Sequence, residues 1–389
     1  MRNQKSDCDI LIAGAGPAGT ITARKLASEY SVTVLEEHSV SGKPVQCTGL
    51  VSDDVIERSG VKVDALNSLY GANIIFPGGG VLSARSDVRK ALIIDRSELD
   101  GKMASAAIDA GAEIHYGTKY ASHVINDGVT TKTSSGTVTS EMMIGADGHS
   151  SRVAASIGNN GPKEYVRGLQ IDIAHRLDDQ GMLDLYIGSE YAPGFFAWVI
   201  PFGDVTRVGL CSTFNDLPPA EYLKNLLRKT GLQDKTVIEK HSGKIPLGGR
   251  RRTYGDNLLL IGDAAGQVKP ISGGGLQPIF HSVDPLCETV REAFDSDNMS
   301  SSFLSIYEKR WNQEIGKELK RGYSLRKTYV KMRDDEFDKV FGLMNKEDII
   351  SQFNGIDIDN PSSVARPILK KNFSLAFGLM PIGLKTLFR

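Results

Sequence analysis

Short apolar runs broken by glycines set out the first elements of the chain. Cys8 to Ala13 (C-D-I-L-I-A) reads as a buried strand, and a helix is predicted from about Pro17 to Glu29. Ser31 to Leu35, rich in β-branched residues, reads as the next strand, which completes a β-turn-α-β unit. Ser52 to Ser59 has the pattern of a short helix capped by Ser52, and residues 72–76 and 81–84 form a hairpin around Pro77-Gly78-Gly79-Gly80. A helix capped by Ser97 is expected to run to about Ala110, followed by a strand at Ala112 to Tyr116. Two strands flank Ser134-Ser135-Gly136, and residues from about Val166 to Thr213 alternate as antiparallel sheet does. Asn257 to Ile261 (N-L-L-L-I) is a continuous apolar run, typical of a central parallel strand. It feeds Gly262-Asp263, a loop and a helix beginning near Gly273, and Ser300 to Arg389 is mainly helical by pattern.

This order, a dinucleotide-type unit, a sheet-rich insertion and a returning strand-glycine-acid element, predicts an α/β protein built on a split Rossmann-type domain. The formal net charge of −1 removes the basic excess that nucleic-acid binding needs, so no nucleic-acid partner is expected. Cys8, Cys47, Cys211 and Cys287 lie far apart and form no C-x-x-C pair, so no metal site is expected and a reducing cytoplasm is. The polar start, Met1 to Asp9, does not read as a signal peptide, and no apolar run reaches the ~18 residues of a membrane span.

Gly14-Ala15-Gly16-Pro17-Ala18-Gly19 matches G-x-G-x-x-G between strand and helix. The first glycine permits the turn, the second lets backbone approach a pyrophosphate, and the third lets helix and strand pack closely. Glu36, at the end of the second strand, is placed to accept from an adenosine ribose. Those features alone fit NAD or FAD. The second element, Gly262-Asp263, puts an acid directly after a buried strand, where burial is costly without a polar partner. A ribityl hydroxyl would be such a partner, which favours FAD. Gly273-Gly274-Gly275 then opens a helix whose N–H groups can face the flavin N1–C2=O edge and favour the reduced anion.

Gly145-Ala146-Asp147-Gly148, with Ser150-Ser151-Arg152 after it and Asp95-Arg96 earlier, completes a three-motif pattern. From about residue 8 to 295 the chain resembles the glutathione-reductase-like flavoproteins of the p-hydroxybenzoate hydroxylase type. Within that group it looks most like the geranylgeranyl reductases, which saturate isoprenoid chains in archaeal membrane lipids or in chlorophyll. Pro44-Val45-Gln46-Cys47-Thr48-Gly49 resembles that family's P-V-R-C loop beside the isoalloxazine, with Gln46 in place of Arg. Pro193-Gly194-Phe195-Phe196-Ala197-Trp198-Val199-Ile200-Pro201 resembles its P-G-x-Y-x-W-x-F-P lipid-binding motif, with Phe196 for Tyr and Ile200 for Phe.

The resemblance implies FAD contacts at Ala15, Glu36, Gln46, Cys47, Gly49, Arg96, Asp263, Gly275 and Leu276, and a backbone contact near adenine at Tyr120. The fingerprint residues Gly14, Gly16, Pro17, Ala18 and Gly19, together with Asp147, Gly262 and Gly274, complete the expected cofactor set. Pro193, Gly194, Phe195, Phe196, Trp198, Ile200 and Pro201 are the expected substrate wall, the alternative for Phe195, Phe196 and Trp198 being ordinary core residues. The Arg96 fork suits a pyrophosphate, the alternative being a surface salt bridge. Cys47 is a candidate proton donor or gate, the alternative being a small buried hydrophobe. Because successive side chains of a strand point to opposite faces, Phe195 and Phe196 are expected on opposite sides.

The domain reading is discontinuous. Residues 1–70, 95–160 and 250–298 bind FAD, 71–94 and 161–249 form an inserted antiparallel β-sheet substrate domain, and 299–389 form a helical C-terminal region. The implied activity is reduction of alkene bonds in a prenylated lipid, with an external electron donor: ferredoxin, reduced deazaflavin or NADPH. A flavin monooxygenase or halogenase on the same scaffold is the alternative, since Phe196-x-Trp198-x-Ile200-Pro201 comes close to the halogenase W-x-W-x-I-P. A non-catalytic FAD or lipid carrier is a third. The apolar stretch Asn372 to Arg389, flanked by Lys370 and Lys371, has two readings: peripheral docking on an anionic membrane surface, or a terminal helix packed on the body. Arg250-Arg251-Arg252 reads as a solvated turn, with a hold on a lipid phosphate as the alternative.

Overall fold

The apolar run Cys8–Ala13 lies at the centre of the first of three sheets. In this computed structural model, residues 6–158, 161–213, 217–346, 349–350 and 359 are described. Cys8–Ala13 pairs in parallel with Val32–Leu35 on one side and Gly136–Gly145 on the other, and Gly136–Gly145 pairs in parallel with Leu258–Leu260. The strand that returns late in the chain therefore sits two places from the first. Their loops share one end of the sheet, where Gly145 accepts from the Ile261 N–H. Helices Pro17–Leu26, Arg96–Asp109 and Leu276–Asp295 bury Ile21, Leu26, Leu99, Met103, Val283 and Leu286 in the core on one face.

The second sheet has seven strands, in the order Val237–Leu247, Glu164–Ile173, Val205–Ser212, Phe196–Phe202, Met182–Ile187, Gly71–Ile75 and Val81–Arg85. Side chains alternate along its central strands, and the two faces do different things. Leu169, Ile171, Ala197, Val199, Val208 and Leu210 pack with Tyr222, Leu223 and Leu226 of the helix Pro219–Thr230. The opposite face carries Gln170, Asp172, Trp198, Ile200, Arg207 and Gly209, directly opposed across three strands: Gln170 to Gly209 to Trp198, and Asp172 to Arg207 to Ile200. A third small sheet, Leu50–Val51, Ala91–Ile94 and Ala65–Leu69, adds Leu69, Ala91 and Ile93 to the apolar cluster on that face. Ser301–Trp311, a π-helical turn Asn312–Gly316 and Lys317–Tyr329 then run across the assembly.

Local chemistry moves two boundaries and adds one strand. The cap of the Arg96–Asp109 helix is Asp95, not Ser97, because its carboxylate accepts both the Ser97 N–H (2.8 Å) and the Ser97 hydroxyl (2.7 Å). The late helix begins at Leu276 rather than Gly273, since Gly273 has a φ of 74° that no right-handed helix admits. A strand at Tyr120–Asn126, which the hydrophobic pattern did not announce, pairs with Gly128–Thr133. It sits at the margin of its sheet, and exposed Ala121, Ser122 and Val124 blur its alternation. The apolar stretch Asn372 to Arg389, with Lys370 and Lys371, lies outside the described residues.

Candidate active site

Backbone builds the first half of the site. Gly14 has a φ of 102°, and a Cβ there would lie 2.4 Å from the Ala146 carbonyl oxygen. A Cβ at Gly19 would lie 1.9 Å from the Gly14 carbonyl oxygen, so the first and third glycines are demanded by packing within the protein. Gly16 differs: nothing lies within 4 Å of its Cβ position. It caps a helix that has no side-chain cap and no acid in its first turn, which leaves N–H groups and positive partial charge facing that open space. Pro17 lacks the N–H that would be unpaired there, and Ala18 packs against Gly262.

Glu36 is buried and fixes the loop. One carboxylate oxygen accepts the Ala15 N–H (2.9 Å), and the other takes the His38 N–H (2.9 Å) and ring Nδ1 (2.7 Å). A carboxylate has about four acceptor positions, so a hydroxyl can still be received. The Thr118 N–H bonds the Glu36 carbonyl, which brings the start of the Tyr120 strand beside it. The Tyr120 hydroxyl is bonded to His123 (2.7 Å), and burial raises its pKa to about 12. Asp147 acts within the fold: its carboxylate receives the Ser151 hydroxyl and the Arg152 and Val153 N–H groups, tying its turn to the helix Arg152–Ser156.

Asp263 is the reverse case. It is half-buried, and among the described residues no donor bonds its carboxylate. Burial raises its pKa to about 6, opposed by the nearby Arg96 and Arg250 guanidinium groups. A Cβ at Gly275 would lie 3.2 Å from its Oδ1, and Gly274 lies over Lys269, so the Gly273–Gly275 loop folds back onto this acid. Leu276, buried, starts a helix without a side-chain cap. Arg250 is not a solvated turn residue: it is half-buried, its Nε has no hydrogen-bond partner among the described residues, and burial lowers its pKa. Arg251 and Arg252 are exposed.

Arg96 is a buried partner rather than a surface ion pair. Its guanidinium holds both oxygens of Asp100 at 3.0 and 3.1 Å, and both side chains are about one-tenth exposed. Burial opposes its charge, but Asp100 and Cys47 outweigh that and raise its pKa. Cys47 is half-buried in a loop held at Gly49, whose φ of 83° and 2.4 Å approach to the Ile94 carbonyl exclude a side chain. Gln46 is exposed and lies against Gly243 of the large sheet.

The expected substrate wall stands on the same sheet face. Trp198 and Ile200 are buried with Phe195, Leu69, Ile93 and Val268. Phe195 and Phe196 do not diverge. Their rings stack at 4.6 Å and 19°, because Phe195 belongs to the turn before the strand and escapes its alternation. Gly194 has a φ of 71°, and a Cβ there would lie 1.7 Å from Thr213 Oγ1. The helix Lys317–Tyr329 clamps this turn: the Gly194 carbonyl accepts from Arg326 (3.1 Å), and the Phe195 carbonyl accepts from the Tyr329 hydroxyl. Pro193 and Gly194 also line an open pocket of about 530 Å³ with Tyr329, Met332 and Phe337. Pro201 stands opposite Thr206, one residue before the strand ends at Phe202. On its other side the Phe195 ring meets the cofactor loop, 3.5 Å from the Cβ position of Gly273.

The open cradle at Gly16, the bare helix start and the unsatisfied acid at Asp263 suit a dinucleotide with a polyol chain. The FAD binding domain family matches residues 7–277. A Methanothermobacter thermautotrophicus protein named digeranylgeranylglycerophospholipid reductase 2 is 31% identical over 361 residues, covering 88% of this chain and 93% of its own. The chain belongs to the geranylgeranyl reductase family of FAD-dependent oxidoreductases. A Methanocaldococcus jannaschii digeranylgeranylglycerophospholipid reductase is 30% identical over 390 residues, covering 95% of this chain and 97% of its own. The crystal structure of a geranylgeranyl bacteriochlorophyll reductase-like protein from Thermoplasma acidophilum has the same fold, with a TM-score of 0.83 at 24% identity over 95% of this chain and 99% of that one. The halogenase PltM, solved with FAD, shares the fold alone, at a TM-score of 0.68 and 15% identity over 97% of this chain and 86% of that one.

FAD is thus the cofactor of this family member. Sequence reasoning did not single out four buried residues of this sheet, Gln170, Asp172, Arg207 and His241, of which Gln170 and Arg207 bond the Cys47 loop and Asp172 pairs with Arg207. No spacing rule could have joined them, since they come from three strands; a charged pair inside an otherwise apolar alternation was the available signal. Asp172, Glu239 and His241 lie close enough to suggest a metal cluster. Both Asp172 oxygens, however, are bonded to Arg207 at 2.7 Å, which makes it an ion-pair partner.

Proposed function

We propose that this protein saturates carbon–carbon double bonds of geranylgeranyl chains in membrane-lipid synthesis, with a prenylated lipid as substrate. The observation that carries the reading is the junction at Phe195, where the aromatic wall and the Gly273–Gly275 loop touch. A chain lying along Phe196, Trp198 and Ile200 reaches the cofactor loop without leaving apolar surroundings. Its affinity comes from buried CH₂ groups at about 0.8 kcal/mol each, which suits a long isoprenoid.

Reduced FAD, held by the Gly14–Gly19 backbone, Glu36 and Asp263, would supply the hydride for one alkene carbon. The chain's residues do the rest. Backbone at Gly14–Gly19 and the acids Glu36 and Asp263 orient the dinucleotide, while the aromatic wall holds the alkene and excludes water. Cys47, in a loop held by Gln170 and Arg207, is the candidate proton donor to the other alkene carbon. The electron donor is external: ferredoxin, reduced deazaflavin or NADPH. No helix among the described residues is long and apolar enough to cross a membrane, so the lipid is met from outside the bilayer core, in peripheral contact with its surface.

The test is anaerobic mixing of the dithionite-reduced protein with geranylgeranyl lipids, followed by mass analysis. The expected product gains two hydrogens for each bond reduced. No gain with any prenyl lipid would overturn the reading.

A further inference from the structure

The large sheet grips the Cys47 loop from below. Arg207, 4% exposed, forks onto Asp172 through Nε and one terminal nitrogen, both at 2.7 Å. Its other terminal nitrogen donates to the carbonyls of Cys47 (3.3 Å) and Thr48 (2.9 Å). The Gln170 amide, one row along the same face, donates to the Cys47 carbonyl as well (3.0 Å). The Phe202 ring lies 3.7 Å from the guanidinium, and His241 Nε2 stands 3.5 Å from Asp172.

A buried ion pair seldom adds stability over well-packed apolar residues, because both charges lose their hydration. Here the pair does something apolar residues cannot: it aims one Arg207 nitrogen at two consecutive backbone carbonyls of a glycine-bounded loop, and Gln170 adds a third bond. We infer that Arg207, oriented by Asp172 and seconded by Gln170, is a positioning residue that fixes the Cys47–Thr48 backbone and so holds the Cys47 side chain in its half-buried place. This deepens the proposed reductase reading, in which that loop lies beside the flavin, but its test needs no turnover.

Cys8, Cys211 and Cys287 are buried and serve as internal controls. The FAD-loaded protein is treated with iodoacetamide, and modification of each cysteine is followed by peptide mass analysis. In Arg207→Met, Cys47 should react about tenfold faster while the other three keep their rates, as local rather than global opening requires. Gln170→Ala, which removes one bond only and decides the matter should Arg207→Met fail to fold, should accelerate Cys47 about threefold. Arg207→Lys should resemble Met, because an ammonium cannot fork onto a carboxylate and reach two carbonyls. An unchanged Cys47 rate, or a parallel rise at all four cysteines, would overturn the inference. A failed lipid assay with selective Cys47 release would reject the substrate and leave the positioning role standing.

Discussion

The two halves of the site are made of different material. The cofactor side, Gly14–Gly19 and Gly262–Gly275, is largely backbone: positive φ values, close carbonyl approaches and bare helix starts. The proposed substrate side, residues 164–212, is made of side chains on one face of a sheet, stacked, clamped and ion-paired. Backbone sites tolerate no added atom where the chain touches itself. Side-chain sites fail by degrees. That contrast is open to breaking at each end.

The largest effect on cofactor binding belongs to Gly14→Ala, whose Cβ would drive into the Ala146 carbonyl 2.4 Å away. FAD affinity should fall by about 100-fold or more, roughly 3 kcal/mol, together with thermal stability. Gly16→Ala sharpens the point, because the protein has room for that methyl. FAD titration should show about tenfold weaker binding. The melting temperature of the apoprotein should stay at the wild-type value. A fall in both would mean the second glycine serves folding and not the ligand.

Trp198→Ala tests the other half. Trp198 is 6% exposed and its ring lies over Gly209, so truncation leaves a cavity costing about 3–5 kcal/mol. Denaturant titration should register that loss, while FAD binding to the folded fraction changes by less than about threefold. A colourless but folded variant would show that the two halves are not separable.

Asp263 links stability to pH. Its ordinary value of 3.8 is raised to about 6 by burial, so ionisation is less favourable in the folded apoprotein than in the unfolded chain. Stability is therefore greatest below 3.8 and declines as pH rises towards about 6. Asp263→Asn should abolish that decline and raise apoprotein stability at neutral pH by roughly 1–2 kcal/mol, while weakening FAD binding. Melting temperatures across pH 4–7, with and without FAD, read both signs. The smallest effect is Tyr329→Phe, which removes one bond to the Phe195 carbonyl. It should cost about 1 kcal/mol and raise KM for the lipid without altering the flavin spectrum.

The same contrast explains what the sequence made legible. Turn glycines, a helix start and an acid at a strand end are local, so Gly14–Gly19, Glu36 and Asp263 could be read from spacing. The hairpin of Gly71–Ile75 and Val81–Arg85 was equally visible, in alternation around Pro77-Gly78-Gly79-Gly80. Phe195 and Phe196 misled, because the alternation rule holds only where a strand has begun. Arg96 and Asp100 stand four apart on one helix, so their pairing was within reach of spacing. Arg207 and Asp172 meet only when two strands adopt their register, and nothing in the linear order announces that Arg207 also reaches Cys47 and Thr48.

Flavin reoxidation without oxygen tests the central claim most directly. The protein is reduced anaerobically, mixed with a geranylgeranyl phospholipid, and the oxidised flavin absorbance is followed with time. The lipid should restore the yellow form in the wild type and much more slowly in Trp198→Ala. A flavin that stays reduced with every prenyl lipid, and reoxidises only when air is admitted, would contradict it.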